Sequence, residues 1–374
     1  VLDTKPFDRD FVDRLLGSFD NLDEMTDGLL VHSENWQALN LLLEKCREHV
    51  KCVYIDPPYN TAASEILYKN NYKHSSWLSL LYDRVAFGRI FLSTDGMQFT
   101  TVDDAEFHRL RGLITNVFGE DNITGVVAIK NNPSGRSTVK GFSIAHEYAV
   151  VSTRSEKYKL GNIPRTTEQL SQYPEEDQLG RYQWRNFLRA GGANDFRLAR
   201  PRLHYPLLAS DDKVRLPKME WDSGQKRWLI RERPSKGEQV IWPVSNRVEY
   251  TWRLGVESLK ERMEDLRVRK ARDGHYLVEL KFRLDEEGVL PKTVWDEKEM
   301  NATAYGTTIL RHIMGESQAF SFPKSIYAVA KSLQTCCVKS NEIVFDYFAG
   351  SGTTGRKRRW WIFPKHLVIS SACT

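Results

Sequence analysis

Long apolar runs are missing from this 374-residue sequence. Residues 1–20 mix charged and apolar side chains, so neither a secretory leader nor a membrane span is expected. Cysteine is scarce and poorly placed for structural use. Its five positions (46, 52, 336, 337, 373) are odd in number and two are adjacent, which suits neither a disulfide framework nor a Cys-x-x-Cys metal site. A reducing, cytoplasmic compartment and no metal are the expectations. Internal repeats and low-complexity stretches are also missing. Nor does charge of one sign dominate: 54 Lys and Arg stand against 49 Asp and Glu, for a formal net charge of +5. That balance neither demands nor excludes a polyanionic partner, so the distribution of charge must decide.

What is present reads as an alternation of strand and helix. An apolar run at 29–31 precedes apolar residues at helical spacing (Leu39, Leu42, Leu43, Cys46), and 50–55 reads as a buried strand ending at a double proline. A helix over 77–92, a strand over 96–101, a helix over 104–118 and a strand over 144–152 continue the pattern. This predicts an α/β fold with a parallel, helix-flanked sheet. From 156 to about 301 the rhythm is lost among tryptophans, prolines and arginines, with 256–270 the one long periodic helix, its alternating charges marking an exposed face. Segments 131–140 and 164–176 are polar and linker-like. The α/β pattern returns with a helix at 323–333 and a strand at 343–345. An insertion therefore divides the sheet, and the expected bounds are 1–155, 156–300, 301–355 and an atypical tail, 356–374. At this length the chain can bury one full core and still supply a smaller second domain.

Two constellations carry chemistry. Asp56-Pro57-Pro58-Tyr59 follows the strand at 50–55. Proline stiffens the loop and cannot extend a ladder, and strand ends are where open α/β sheets hold ligands. An exocyclic amine on a nucleobase is a poor nucleophile because its lone pair is delocalised into the ring. Acceptors set against its two N–H bonds, here Asp56 and the Pro57 carbonyl, return density to the nitrogen, and Tyr59 offers a ring on which an extruded base can stack. As an isolated tetrapeptide this is also an ordinary turn; its place after an apolar strand gives it weight. The second constellation, Asp346-Tyr347-Phe348-Ala349-Gly350-Ser351-Gly352, leads a strand into glycines that let backbone approach a ligand. It lacks the G-x-G-x-x-G spacing and a Walker lysine, which favours an adenosyl cofactor without phosphates over a dinucleotide or a phosphate-loop ligand.

Asp56-Pro57-Pro58-Tyr59-Asn60-Thr61 and, far downstream, Asp346 to Thr354 resemble motifs IV and I of amino-methyltransferases, in the permuted order of the β class. Ser75 to Tyr82, Asp103-Asp104, His146-Glu147-Tyr148, Asn301-Ala302-Thr303 with Gly306-Thr307, and Phe322-Pro323-Lys324 extend the resemblance to the Mod subunits of type III restriction systems. The resemblance implies a Rossmann-like methyltransferase sheet with helices on both faces, interrupted by a target-recognition domain. It implies an S-adenosylmethionine pocket at Asp346, Phe348, Ala349, Gly350, Ser351, Gly352 and Thr353, with Lys324 at its edge, and Asp56, Pro57, Pro58 and Tyr59 at the target base. Transfer to adenine N6 of double-stranded DNA would be direct, and the sequence holds no Pro-Cys dipeptide of the kind carbon-5 cytosine enzymes use. A restriction subunit or a second copy is the expected partner. Cytosine-N4 methylation is the rival activity, although an aspartate opening the tetrapeptide favours adenine. A non-catalytic DNA-binding remnant is the rival from outside the class.

Two departures stand out. Ser33-Glu34-Asn35 replaces the family's Gly-Asp-Asn, making Glu34 a candidate cofactor contact. Residues 356–374 contain no Asp or Glu where relatives carry an acid for the ribose, so a truncated or frameshifted end is expected, its arginine run being solvated charge. His146 and Glu147 read as packing residues at a strand start. Between 181 and 202, six arginines meet a single acid with Tyr182, Trp184, Phe187 and Phe196 interleaved. Arg185, Arg189, Arg197, Arg200 and Arg202 are the candidate DNA contacts.

Overall fold

The computed structural model describes residues 5–21, 25–26, 28–60, 73–135, 141–189, 191–271, 274–315, 320, 322–356 and 366–371. Two compact units divide the chain: Val1–Pro164 with Gly288–Thr374, and Arg165–Glu287.

The first unit is built on eight strands: β1 (Leu29–His32), β2 (Val50–Ile55), β3 (Leu92–Val102), β4 (Ile123–Ile129), β5 (Glu147–Thr153), β6 (Val294–Trp295), β7 (Ile343–Asp346) and β8 (His366–Ser371). Their order across the sheet is β1-β8-β7-β2-β3-β5-β4-β6. Neighbours are parallel except around β5, which returns antiparallel between β3 and β4, so the sheet is mixed rather than parallel throughout. Every residue of β2 is buried, and its side chains alternate between two cores. Val53 and Ile55 join the helices α1 (Asn35–Cys46), α2 (Lys73–Phe91) and α3 (Phe107–Phe118) through Leu39, Trp77, Leu81, Leu110 and Ile114. Cys52 and Tyr54 face Ala328, Val329 and Leu333 of α4 (Ile326–Thr335). A sheet covered on both faces needs apolar runs rather than alternation, which is why β2 reads as it does.

Several expected elements shift. Residues 156–164 and 288–300 sit with the first unit: Ile163 bridges Val289, and Trp295 is buried in edge strand β6. The expected linker 164–176 contains a helix, Thr167–Ser171, with a Thr166/Gln169 capping box. Strand β4 has no counterpart in the sequence reading, and β8 forms within the tail, hydrogen-bonded between β1 and β7.

In the second unit a four-stranded antiparallel sheet runs Leu266–Lys270, Tyr276–Arg283, Gly180–Asn186, Glu175–Asp177. Its core gathers Phe187, Tyr205, Trp252, Val278 and Leu280. The long charged helix expected over 256–270 is absent. The helix covers only Val256–Lys260, and Leu266–Lys270 is a strand whose Arg267 and Arg269 both reach Glu279 on the neighbouring strand. Cross-strand ion pairs and the half-buried Leu266 and Val268 outweigh the helical charge spacing.

Candidate active site

Parallel pairing of β2 with β7, register Val53 to Phe345, brings the two constellations side by side at the carboxyl edge of the sheet. The loop after β2 is held from several directions. Trp77, fully buried on α2, donates its indole N–H to the Pro58 carbonyl at 2.7 Å. Asn60 takes a left-handed backbone, φ 58°, a conformation asparagine tolerates, and its amide donates to Glu106 at 2.6 Å. Residues 61–72, including Thr61, lie outside the described residues.

Asp56 is fixed through one oxygen. Its Oδ1 accepts from Thr101 Oγ1 at 2.7 Å and meets Lys324 Nζ at 3.0 Å. Among the described residues no donor reaches Oδ2, and about a quarter of the side chain is solvent-accessible. Lys324 is the hub. Its ammonium lies 2.6 Å from Glu147 Oε2, hydrogen-bonds the Tyr59 hydroxyl, and sits 4.4 Å from the Tyr59 ring centre. Tyr59 donates to the same Glu147 oxygen at 2.9 Å, and Asn131 Nδ2 donates to it at 2.8 Å. Burial alone would lower the Lys324 ammonium, yet Asp56 and Glu147 outweigh it and hold it above the ordinary lysine value. Burial, reinforced by the same two carboxylates, pushes the Tyr59 hydroxyl well above the phenol range.

The glycine loop after β7 closes on itself. Asp346 accepts from Phe348 N–H at 3.1 Å and from Thr354 Oγ1 at 2.5 Å, so its carboxylate braces the loop that follows. Burial raises this carboxyl to about 7, against the pull of those two donors. Gly350 (φ 49°) and Gly352 (φ 70°) occupy left-handed backbone, where glycine is unstrained. A Cβ on Gly350 would strike the Phe320 ring at 2.7 Å, whereas one on Gly352 would meet none of the described residues within 4 Å. Phe348 and Ala349 are buried at the loop's base, and Ser351 and Thr353 share a hydroxyl hydrogen bond at 2.8 Å.

Lys324 therefore stands against Asp56 and Tyr59 rather than only at the edge of the glycine loop. Glu34 caps α1 through Gln37 N–H and ion-pairs with Arg84 at 2.7 Å. Although burial pushes its carboxyl up, the Arg84 hydrogen bond and charge leave it below the ordinary range. Arg84 also holds Asn35, whose amide reaches the Tyr347 carbonyl at 3.4 Å, so this corner braces β7. Glu147, read from the sequence as a packing residue, is 1% exposed and belongs to the polar cluster; His146 does pack, edge-on against Tyr148. Asn131 and Thr101 carried no signal in the sequence. For Glu147 the available hint was the resemblance carried by His146-Glu147-Tyr148. Among the described residues no group of three or more His, Cys, Asp or Glu is arranged to hold a metal.

The candidate DNA contacts all lie in the second unit, and most are engaged. Arg189 pairs with Asp195 at 2.5 Å and Arg197 with Glu249 at 2.9 Å. Arg185 lies 4.3 Å over Phe282 and Arg202 5.3 Å over Trp221. Arg200 is exposed and, among the described residues, has no ion-pair or ring partner.

Residues 50–357 match the family model described as DNA methylase. The type II methyltransferase M.KpnI of Klebsiella pneumoniae is 27% identical over 91% of this chain and 80% of its own length. The type III EcoPI Mod subunit of Escherichia phage P1 is 26% identical over 88% of this chain but only 54% of its own length. The chain thus spans about half of that longer relative. Among solved structures, the cytosine-N4-specific PvuII DNA methyltransferase aligns with a TM-score of 0.44 at 10% identity, over 92% of this chain and 82% of that one.

Proposed function

Because the chain belongs to the DNA methylase family, we propose that it transfers a methyl group from S-adenosylmethionine to the N6 amine of adenine in double-stranded DNA, as the modification enzyme of a restriction system. The observation that carries this reading is Asp56: Oδ1 is tied down by Thr101 and Lys324 while no donor among the described residues reaches Oδ2, beside a glycine loop after the adjacent parallel strand.

The residues present fit the cofactor. Among the described residues, nothing stands within 4 Å of where a Gly352 Cβ would lie, and the buried Asp346 has no ion-pair partner, so a cationic ligand would relieve its carboxylate. Phe348, Ala349, Gly350, Ser351, Gly352 and Thr353 would hold it, with Lys324 at the junction with the base site. When bound, S-adenosylmethionine supplies an electrophilic methyl. Asp56 Oδ2 and the Pro57 carbonyl accept the two amine hydrogens, raising electron density on nitrogen and orienting its lone pair for in-line attack. After transfer, the surplus amine proton has Asp56 Oδ2 within reach. Tyr59, its hydroxyl anchored by Glu147 and Lys324, would hold a ring in fixed position on which an extruded base can stack.

The second unit is proposed to read the target sequence, and a restriction subunit or a second copy to complete the assembly, acting on DNA in the cytoplasm. No helix among the described residues is long and apolar enough to cross a membrane.

Duplex DNA incubated with methyl-labelled donor and digested to nucleosides should yield N6-methyladenine. Recovery of N4-methylcytosine alone would overturn the choice of base. Asp56→Ala should lower turnover by about 10³-fold or more, with DNA affinity nearly unchanged; retained methylation would remove Asp56 from the mechanism.

A further inference from the structure

One ammonium serves two carboxylates at the site. Lys324 Nζ stands 2.6 Å from Glu147 and 3.0 Å from Asp56, and Glu147 and Lys324 are almost fully covered. Lys324 is faced by Asp56 and Tyr59 from the loop after β2 and by Glu147 from β5; Tyr54 of β2 feels both of these carboxylates, and Asp346 of β7 feels Asp56. Thr101 and Asn131 add neutral donors to the two carboxylates. The lysine backbone is fixed as well. A Cβ on Gly306 would come within 2.6 Å of the Pro323 carbonyl oxygen and 2.8 Å of that of Lys324, and Ser325 caps α4 immediately after.

A carboxylate loses hydrogen-bond accepting strength when a cation rests wholly on it, yet Asp56 needs a cation to stay aligned in a partly buried site. Resting on the reading of Asp56 as the amine's acceptor, we infer that Glu147 is a positioning residue: it draws the Lys324 ammonium toward itself, so that Asp56 is held in place without being neutralised and Tyr59 is locked at the mouth of the base site. A second carboxylate is the device that permits both. With Glu147 uncharged, Lys324 falls to Asp56 alone and weakens it as an acceptor. With Lys324 uncharged, two carboxylates face each other and compete for one proton.

The two variants therefore move the site in opposite directions. Glu147→Gln, which keeps the shape, should lower kcat at least tenfold, leave KM for DNA and donor within about twofold, and move the acid limb of the rate profile to lower pH. Lys324→Met should move that limb to higher pH. The double variant should return the limb toward the parent position and exceed Lys324→Met in kcat. Side-chain carboxyl ¹³C spectra of aspartate-labelled protein, read on the signal missing from Asp56→Asn, should follow the same two directions. Displacement of both single variants the same way, or of neither, in folded protein overturns the inference. Should the parent chain methylate no DNA, the proposed function fails on that result, and the ¹³C titrations still decide whether the charge is shared.

Discussion

A buried carboxylate with no cation against it is costly, and among the described residues Asp346 has none, its carboxyl raised to about 7 by burial. A carboxyl raised in the folded state contributes stability that is complete below its unfolded value and is lost as pH climbs through about 7. Asp346→Asn should therefore raise the melting temperature more at pH 8 than at pH 5, while calorimetric titration with S-adenosylmethionine loses its heat. An equal melting shift at both pH values would contradict this account. The sequence revealed the residues that act together with their immediate neighbours in the chain, namely Asp56 beside Pro57, Pro58 and Tyr59, and Asp346 beside its glycines. It marked Glu147 only by resemblance and read it as packing, because its partners Tyr59 and Lys324 lie 88 and 177 residues away. No local pattern announces an ion pair that only the sheet assembles.

Among elements, the short π-helix Thr303–Thr307 matters because Gly306 gives the Pro323–Lys324 backbone room to lie against it. Gly306→Ala would force that backbone away. Urea unfolding should show a loss of about 1–3 kcal/mol, and turnover should fall further than the stability loss explains, because Lys324 moves off Asp56. A variant destabilised but fully active at saturating substrate would dissociate Gly306 from Lys324. Helices were readable where one face is apolar, as in α3. The strand Leu266–Lys270 was not, because Arg267 and Arg269 follow Glu264 and Asp265 at helical charge spacing while Leu266 and Val268 keep a period of two. Strand β4 escaped for a related reason: five of its seven residues are only half-buried, and burial alternates only over its last four.

For the whole molecule, the insertion was legible as a break in rhythm, but its ends were not, since residues flanking Arg165–Glu287 pair with the first unit. The arginine count also overstated what is available to a polyanion. Arg197 is bound in both hydrogen bonds to Glu249, while Arg200 is unengaged among the described residues. Arg200→Ala should weaken DNA binding and reduce the slope of log affinity against log salt by about 1. Glu249→Gln should strengthen binding by releasing Arg197. Fluorescence anisotropy across a salt series would read both, and opposite signs are required.

The adjacency of β2 and β7 has a consequence in time. Val53 leaves the ribosome before its partner Phe345, which follows nearly three hundred residues later in the chain. Until Ile343–Asp346 clears the exit tunnel the loop after β2 lacks the strand that sets the glycine loop beside it, so the two halves of the proposed site can meet only late in synthesis.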